Sequence, residues 1–506
     1  MELISTVAST LFTVPNLLFM NLGLFAGIII GALPGLTATL GVALLMPMTF
    51  GMDMIPGIVL LLGVYCGGIY GGSITAILIK TPGTPASAAT AMDGYPLAQQ
   101  GKAGLALDVA LKASVFGGLF SAIVLIFVAP QVAKFALTFS AVEYFALALF
   151  GLTIISSISS GNQIKGLISG MLGLLVSCIG TDPINGTSRF IFKTQLLSGI
   201  DVIPAMIGLF AITEIINKSR SVFKDAGELQ QFSSKGIAAR DFWKMWGNLL
   251  RSSAIGTFIG AVPGTGATTS SFLAYNEAKR ASKNKELFGR GSLEAIAASE
   301  SANNGVTGAT LIPLLTLGIP GDTVTAILLG AFMMQGITPG PLLISSHPET
   351  IYTIMISLIL VNLFMLVQGK FFVRIFANVT KIPVALLIPL LVNLCMLGSY
   401  ACNNSIFDVQ LSIIFGIVGF VLILLDVPLT PMVIAMVLGD IAESNMRRGV
   451  AMASGSYSIF FTRPISVFFL IIAAISLMYP TVKFLIHYYH SRKDIKANAR
   501  VENGTK

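Results

Sequence analysis

The chain has 506 residues, 54% of them hydrophobic and only 11% charged, against about 25% charged in an ordinary soluble domain. Apolar runs at 55–79, 113–129, 142–158, 351–367 and 464–478 are each long enough to cross a hydrocarbon core about 30 Å thick, which excludes a soluble protein with a few buried helices. The excess of 31 Lys and Arg over 23 Asp and Glu gathers in a few connecting stretches and the tail, a positive-inside pattern rather than a nucleic-acid footprint.

From the N-terminus, no Lys or Arg precedes Lys80, so a removable signal peptide with its basic region is not expected. The first apolar segment is broken at 31–39 by GALPGLTAT, and the next gives way at 80–89 to KTPGTPASAA. Proline removes a backbone donor and glycine opens conformations closed to other residues. A Pro-Gly pair can therefore end one half-helix and start another. Residues 218–246 form the longest polar stretch before the tail and divide the chain into arms of similar length. Beyond it the first break returns 229 positions on, as GAVPGTGATT at 260–269, and the second returns as LGIPGDTVTA at 317–326. At the ends of the arms LFAITEIINKS (209–219) lies opposite LGDIAESNMRR (438–448), with Glu214 facing Glu443.

Charge placement orients these segments. Seven bases lie between 218 and 251 and five more between 277 and 291. The intervening residues 252–263 rise only about 18 Å as a helix, too little to span. The expectation is a re-entrant hairpin that turns at Pro263–Gly264 and returns to the cytoplasm, buried in protein or lining a wet cavity. Its counterpart at Pro34–Gly35 has no flanking base and is expected to dip in from the opposite face. A basic tail (Lys483, Arg492, Lys493, Lys496, Arg500) implies a cytoplasmic C-terminus, which leaves Arg447 and Arg448 outside. The expected fold is thus an all-α polytopic membrane protein of two inverted-topology repeats with re-entrant hairpins broken at Pro-Gly, plus a C-terminal helix. Its expected parts are a first transmembrane repeat (1–217), a cytoplasmic linker (218–246), a second repeat (247–448), a C-terminal transmembrane helix (449–490) and a polar cytoplasmic tail (491–506).

Repeated, interrupted hydrophobic segments at matching places in two halves point to the binding site of a secondary transporter. Each break leaves amides with partial positive charge at a new helix N-terminus, which bind anions without an Arg, and exposes carbonyl oxygens suited to sodium. The expected substrate site is Pro34, Gly35, Thr37, Thr39, Pro82, Gly83, Thr84, Pro263, Gly264, Thr265, Gly266, Thr268, Asn303, Pro320 and Gly321, with Ser87 and Thr269 as further hydroxyls. Glu300, Asn303 and Asn304 share one helical face, and Glu300, Asn304, Asp322 and Thr323 form the expected cation site, since ionisable groups within membranes are functional suspects. The competing reading is that Gly and Pro only kink or pack helices and that Asn side chains only join them. Lys80 reads equally as an anion partner or a snorkelling interfacial lysine. Asp182, Arg189, Asp440 and Glu443 read as structural or interfacial.

Gly101–Lys102 and Gly369–Lys370 are not followed by Ser or Thr in a P-loop pattern, so no ATPase is expected. Cys66, Cys178, Cys395 and Cys402 lie in or beside apolar runs, and His347, His487 and His490 are scattered. The cysteines read as small buried hydrophobes. No metal site, cofactor or catalytic constellation is expected; the chain reads as no enzyme, with co-transported Na+ or H+ supplying energy.

GALPGLTAT, KTPGTPASAATAMDGYP, GAVPGTGA, ESANN and LGIPGD together resemble the large membrane (permease) subunit of the tripartite tricarboxylate transporter family, over nearly the whole chain. The resemblance implies a bacterial inner-membrane permease working with a small membrane subunit and a periplasmic solute-binding protein, taking up citrate or related di- and tricarboxylates on a cation gradient. Likeness to other two-fold, hairpin-bearing carboxylate transporters implies an elevator mechanism. The alternative is a stand-alone ion-coupled carboxylate or ion transporter without a binding protein.

Overall fold

Long runs without polar residues can satisfy their backbone in lipid only as helices, and helices dominate this computed structural model. It describes residues 2–33, 35–158, 163–182, 185–220, 236–379 and 384–478. Among the described residues six helices are long and apolar enough to cross a membrane: Val14–Ala32, Met54–Ile79, Ala103–Ala136, Val202–Ser219, Pro348–Phe371 and Ile406–Leu424. Among the described residues the strands are two short ones, Gly180–Thr181 and Ser188–Arg189, paired antiparallel.

The chain forms two compact units, and each draws on both arms: one takes Met1–Thr138 and Ile200–Leu425, the other Phe139–Gly199 and Asp426 onward. Every expected site residue falls in the first unit. The second holds the weaker ionisable candidates in a network of two acids and two bases. Arg447 meets Asp182 at 2.7 Å and Glu443 at 2.5 Å, while Arg189 meets Glu443 at 2.7 Å. The Glu443 carboxylate holds the Arg189 guanidinium above its ordinary range. Asp440 lies exposed outside the network.

Within the first unit the two arms repeat each other's packing. Helix Val14–Ala32 presents Gly27 to Val64 and Gly31 to Gly68 of Met54–Ile79; a Cβ on Gly27 would stand 2.7 Å from the Val64 Cα. At the corresponding places Gly256 of Trp246–Ala261 abuts Ala302 of Leu293–Ala309, where a Cβ would stand 2.8 Å from the Ala302 Cα, and Gly260 abuts Val306. Without a hydrophobic force between helices in lipid, such small-residue contacts are what let two helices adhere.

The breaks repeat too. Leu33 and Val262 end their helices extended, their amides returning to the carbonyls of Ile30 and Ile259, and Gly35 and Gly264 follow at φ +80° and +83°. Only glycine adopts that region cheaply. The 229-residue spacing read in the sequence therefore extends to backbone conformation. At the second pair of breaks the helices end on left-handed Lys80 (φ 57°) and Gly318 (φ 72°). A reciprocal exchange of hydrogen bonds then leads into each following helix, in the turn before Ser87–Gln99 and as the cap of Thr323–Met334. Thr84 and Ser87 exchange amide-to-hydroxyl bonds at 3.3 and 3.4 Å. Asp322 and Thr325 do the same at 2.8 Å each way, satisfying amides that a helix start leaves orphaned.

Candidate functional site

The first hairpin runs from Val14–Ala32 through Gly35 into Ala38–Leu45; Pro34 lies outside the described residues. Thr37 is the N-cap of the second limb, its hydroxyl accepting from the Leu40 amide at 3.2 Å. The amides of Ala38 and Thr39 come first in that limb, where a helix supplies no internal partner. Gly35, Thr37 and Thr39 are half-buried. Above Gly35 lies a cation: a Cβ there would collide with the Lys218 ammonium, which stands 3.6 Å from Glu214 one helical turn back.

The second hairpin joins Trp246–Ala261 to Gly266–Ala281 through Pro263, Gly264 and Thr265. Its Gly264 amide is not left open: it donates to the Gly321 carbonyl at 2.6 Å, so the tip is bound to the neighbouring Pro320–Gly321 break. Thr265 donates its hydroxyl to the carbonyls of Ile259 and Val262 at 2.5 and 2.9 Å. The Gly83 amide is likewise committed, to Gly72 at 3.2 Å. The amides that open the helix after the second tip are those of Gly266, Ala267 and Thr268, where a helix supplies no internal partner. Pro82 is half-buried, Gly83, Thr84 and Pro320 are buried, and Thr268 is exposed.

Asp322 ties the second hairpin's surroundings to the first arm. Its carboxylate accepts the Tyr65 hydroxyl at 2.8 Å, and that hydroxyl also meets Thr310 Oγ1 at 3.2 Å. One turn along, Gly68 has its Cα against Ala38, at the start of the first hairpin's second limb; a Cβ there would stand 2.8 Å from the Ala38 Cβ. The first hairpin's second limb and the Pro320–Gly321 break, to which the Gly264 amide is bonded, therefore meet the Met54–Ile79 helix within Tyr65–Gly68, a rise of about 4.5 Å.

The expected cation residues lie on a buried polar stripe. Glu300 is fully buried and accepts the hydroxyls of Ser73 at 2.8 Å and Ser114 at 2.9 Å, and that of Thr90. Along the same face Asn304 donates to the Glu300 carbonyl, Thr307 to the Asn304 carbonyl and Thr310 to the Thr307 carbonyl. The stripe ends at Tyr65 and Asp322, about 15 Å from Glu300 at 1.5 Å per residue. The Asn304 Oδ1 and both polar atoms of the Asn303 amide are buried without a hydrogen-bond partner. A stripe of carboxylates, hydroxyls and unspent amide oxygens is a ligand set for a small cation, or a relay for a proton. Thr323 is half-buried beside Asp322.

Lys80 does not join these groups. It is exposed and lies over the Tyr95 ring at 5.7 Å. The residues that sequence reading missed are Tyr65, Ser73, Thr90, Ser114, Thr307 and Thr310, which supply the Glu300–Asp322 stripe, and Lys218, which in the sequence is the first base of the polar linker.

The chain matches the Tripartite tricarboxylate transporter TctA family over residues 17–434. It belongs to that family. A similar protein in Agrobacterium vitis, described as an uncharacterized 52.8 kDa protein in the TAR-I ttuC' 3'region, is 36% identical over 470 residues, covering 92% of this chain and 94% of the relative. Another from the same organism, an uncharacterized protein in the TAR-II ttuC' 3'region, is 38% identical over 211 residues, 42% of this chain and 87% of the relative. No solved structure matches the chain. As a TctA-family protein the molecule is a multi-pass membrane permease of a tricarboxylate transporter, and a tripartite system implies partner subunits. The TctA match spans both hairpins, the Glu300–Asp322 stripe and Lys218.

Proposed function

We propose that the chain carries citrate or related di- and tricarboxylates across the bacterial inner membrane, coupled to Na+ or H+, in company with a small membrane subunit and a periplasmic solute-binding protein. The observation that carries this reading is that the first hairpin's second limb and the Pro320–Gly321 break, which holds the second hairpin's Gly264, meet the same stretch Tyr65–Gly68. Two sets of helix N-terminal amides serve the substrate's carboxylates there, at Ala38–Thr39 and at Gly266–Thr268, with the Lys218 ammonium supplying a full charge. Such charge-assisted contacts are roughly twice as strong as neutral ones.

Coupling follows from the substrate's charge. Bringing an anion of charge −2 or −3 into a negative-inside cell is opposed by about 2.3 kcal/mol per charge per 100 mV. As many cations as substrate charges cancel that opposition, and one more reverses it. The Glu300–Asp322 stripe is the part of the protein suited to carry them. An elevator-like movement is consistent with a substrate site confined to one compact unit, and the assignment of mechanism rests on fold analogy. Purified protein in sealed vesicles tests the reading. Uptake should require an inward Na+ or proton gradient and the added binding protein. Uptake insensitive to both gradients removes the coupling; uptake at full rate without the binding protein favours a stand-alone transporter.

A further inference from the structure

The first unit contains a cavity of about 490 Å³, lined by Tyr70, Leu107, Asp108, Leu111, Lys112 and Lys370 among others. That volume has room for on the order of ten waters. Its polar wall is organised. Asp108 pairs with Lys112 at 2.8 Å and accepts the Ile237 amide at 2.8 Å, and Lys112 also donates to the Ile237 carbonyl at 3.1 Å. The end of the polar linker is thereby fastened at the cavity, and the Asp108 charge is neutralised.

Tyr70 lines this cavity. Its side chain is fully buried, and its hydroxyl has no hydrogen-bond partner. A buried hydroxyl left unbonded loses about 1–3 kcal/mol, and a water in the adjoining cavity is the partner that would restore it. Tyr70 and Leu111 each stand one helical turn before Ser73 and Ser114, the serines that donate to Glu300 from the Met54–Ile79 and Ala103–Ala136 helices. Two helices thus separate the cavity from Glu300 by one turn, about 5 Å, and on one of them a hydroxyl stands at the boundary.

We infer that this cavity is a hydrated vestibule through which the coupled cation leaves Glu300 toward the cytoplasm, with the Tyr70 hydroxyl as its last protein ligand or proton relay. In the proton case Tyr70 accepts one proton from the Glu300 side as it gives its own to vestibule water, so its charge is unchanged. In the sodium case its oxygen coordinates the ion in transit. Lys370 at the wall disfavours a cation lingering, so the vestibule empties rather than binds. The inference rests on Glu300 being a coupling residue.

Tyr70→Phe removes an oxygen that has no protein partner, so folding is expected to survive. Gradient-driven net uptake in vesicles should fall about tenfold or more, while exchange of labelled for unlabelled substrate, which needs no cation release, stays at the wild-type rate. Separate Na+ and pH gradients show which ion is affected. In a variant lacking the native cysteines, Leu107→Cys and Leu111→Cys should react with a membrane-impermeant maleimide from the cytoplasmic face. Glu300→Gln separates the two readings. If it keeps gradient-dependent uptake, the coupling role of Glu300 falls and this inference with it. If it loses that dependence while Tyr70→Phe keeps full net uptake, or loses exchange too, or both cysteines stay unreactive, the vestibule alone is overturned.

Discussion

Tyr65 donates its hydroxyl to Asp322 at 2.8 Å across 257 positions of chain, joining the first arm's central helix to the second arm's last break. The other carboxylate oxygen accepts the Thr325 amide and hydroxyl, each at 2.8 Å, so Tyr65 is the donor that completes Asp322.

Tyr65→Phe therefore leaves a buried carboxylate oxygen short of a donor, which destabilises by about 1–3 kcal/mol. Transport should fall several-fold at normal expression. Asp322→Asn should lower it further, and added to Tyr65→Phe it should cost less than it does alone. A double-mutant cycle on initial uptake rates measures that coupling, expected at about 1–2 kcal/mol. Strict additivity would mean that the hydrogen bond does no work in transport.

Lys218 over Gly35 predicts a binding defect. Lys218→Gln removes a charge-assisted contact of about 1.5–3 kcal/mol, so KM for a tricarboxylate should rise on the order of tenfold or more, with Lys218→Arg recovering part of the loss. Gly35→Ala should behave similarly, because it both strains a φ of +80° and displaces the ammonium. Lys80→Gln, at an exposed residue turned to Tyr95, should leave KM unchanged. Uptake measured across substrate concentration decides between these outcomes.

Asp93 is fully buried and accepts the Tyr275 hydroxyl at 2.8 Å and the amides of Gly289, Gly291 and Ser292 at 2.9, 2.9 and 2.7 Å. It thereby fixes the loop that starts the helix carrying Glu300. An amide offers one acceptor oxygen in place of two, so Asp93→Asn should lower stability by about 1.5–3 kcal/mol and expose the 289–292 loop to protease. Tyr275→Phe, which leaves the three amides bonded, should lower it by only about 1 kcal/mol. Thermal unfolding in detergent and limited proteolysis test both.

What was legible in the sequence was local. Pro, Gly and their spacing gave the hairpin turns, because φ near +80° at Gly35 and Gly264 needs glycine whatever surrounds it. Helical periodicity placed Glu300 and Asn304 on one face. What stayed hidden was pairing between distant segments. Nothing in the apolar run around Tyr65 points to Asp322, and Lys218 reads as one of many linker bases until the fold brings it over Gly35. Asp93 could have been found, since a lone carboxylate amid KTPGTPASAATAMDGYP in apolar surroundings is itself a signal. The Gly264 amide shows the converse: sequence chemistry offered it as an anion donor, and tertiary packing committed it to Gly321.

The repeated glycine contacts make the sharpest structural prediction. A Cβ on Gly27 would meet the Val64 backbone, with its Cα at 2.7 Å, and one on Gly256 would meet the Ala302 backbone, with its Cα at 2.8 Å. Backbone cannot swing aside as a flexible side chain can, so Gly27→Ala and Gly256→Ala must each push two helices apart. In lipid no hydrophobic force returns them, and overpacking of this kind costs about 1–3 kcal/mol. The separation also draws a hairpin away from its partner helix, so transport should fall more steeply than stability. Gly247 lies in the same helix as Gly256 with nothing within 4 Å of its added Cβ. Gly247→Ala should raise thermal stability slightly, by up to about 1 kcal/mol of helix propensity. Equal melting of all three variants and the wild type would show that close helix approach does not hold the hairpins in place.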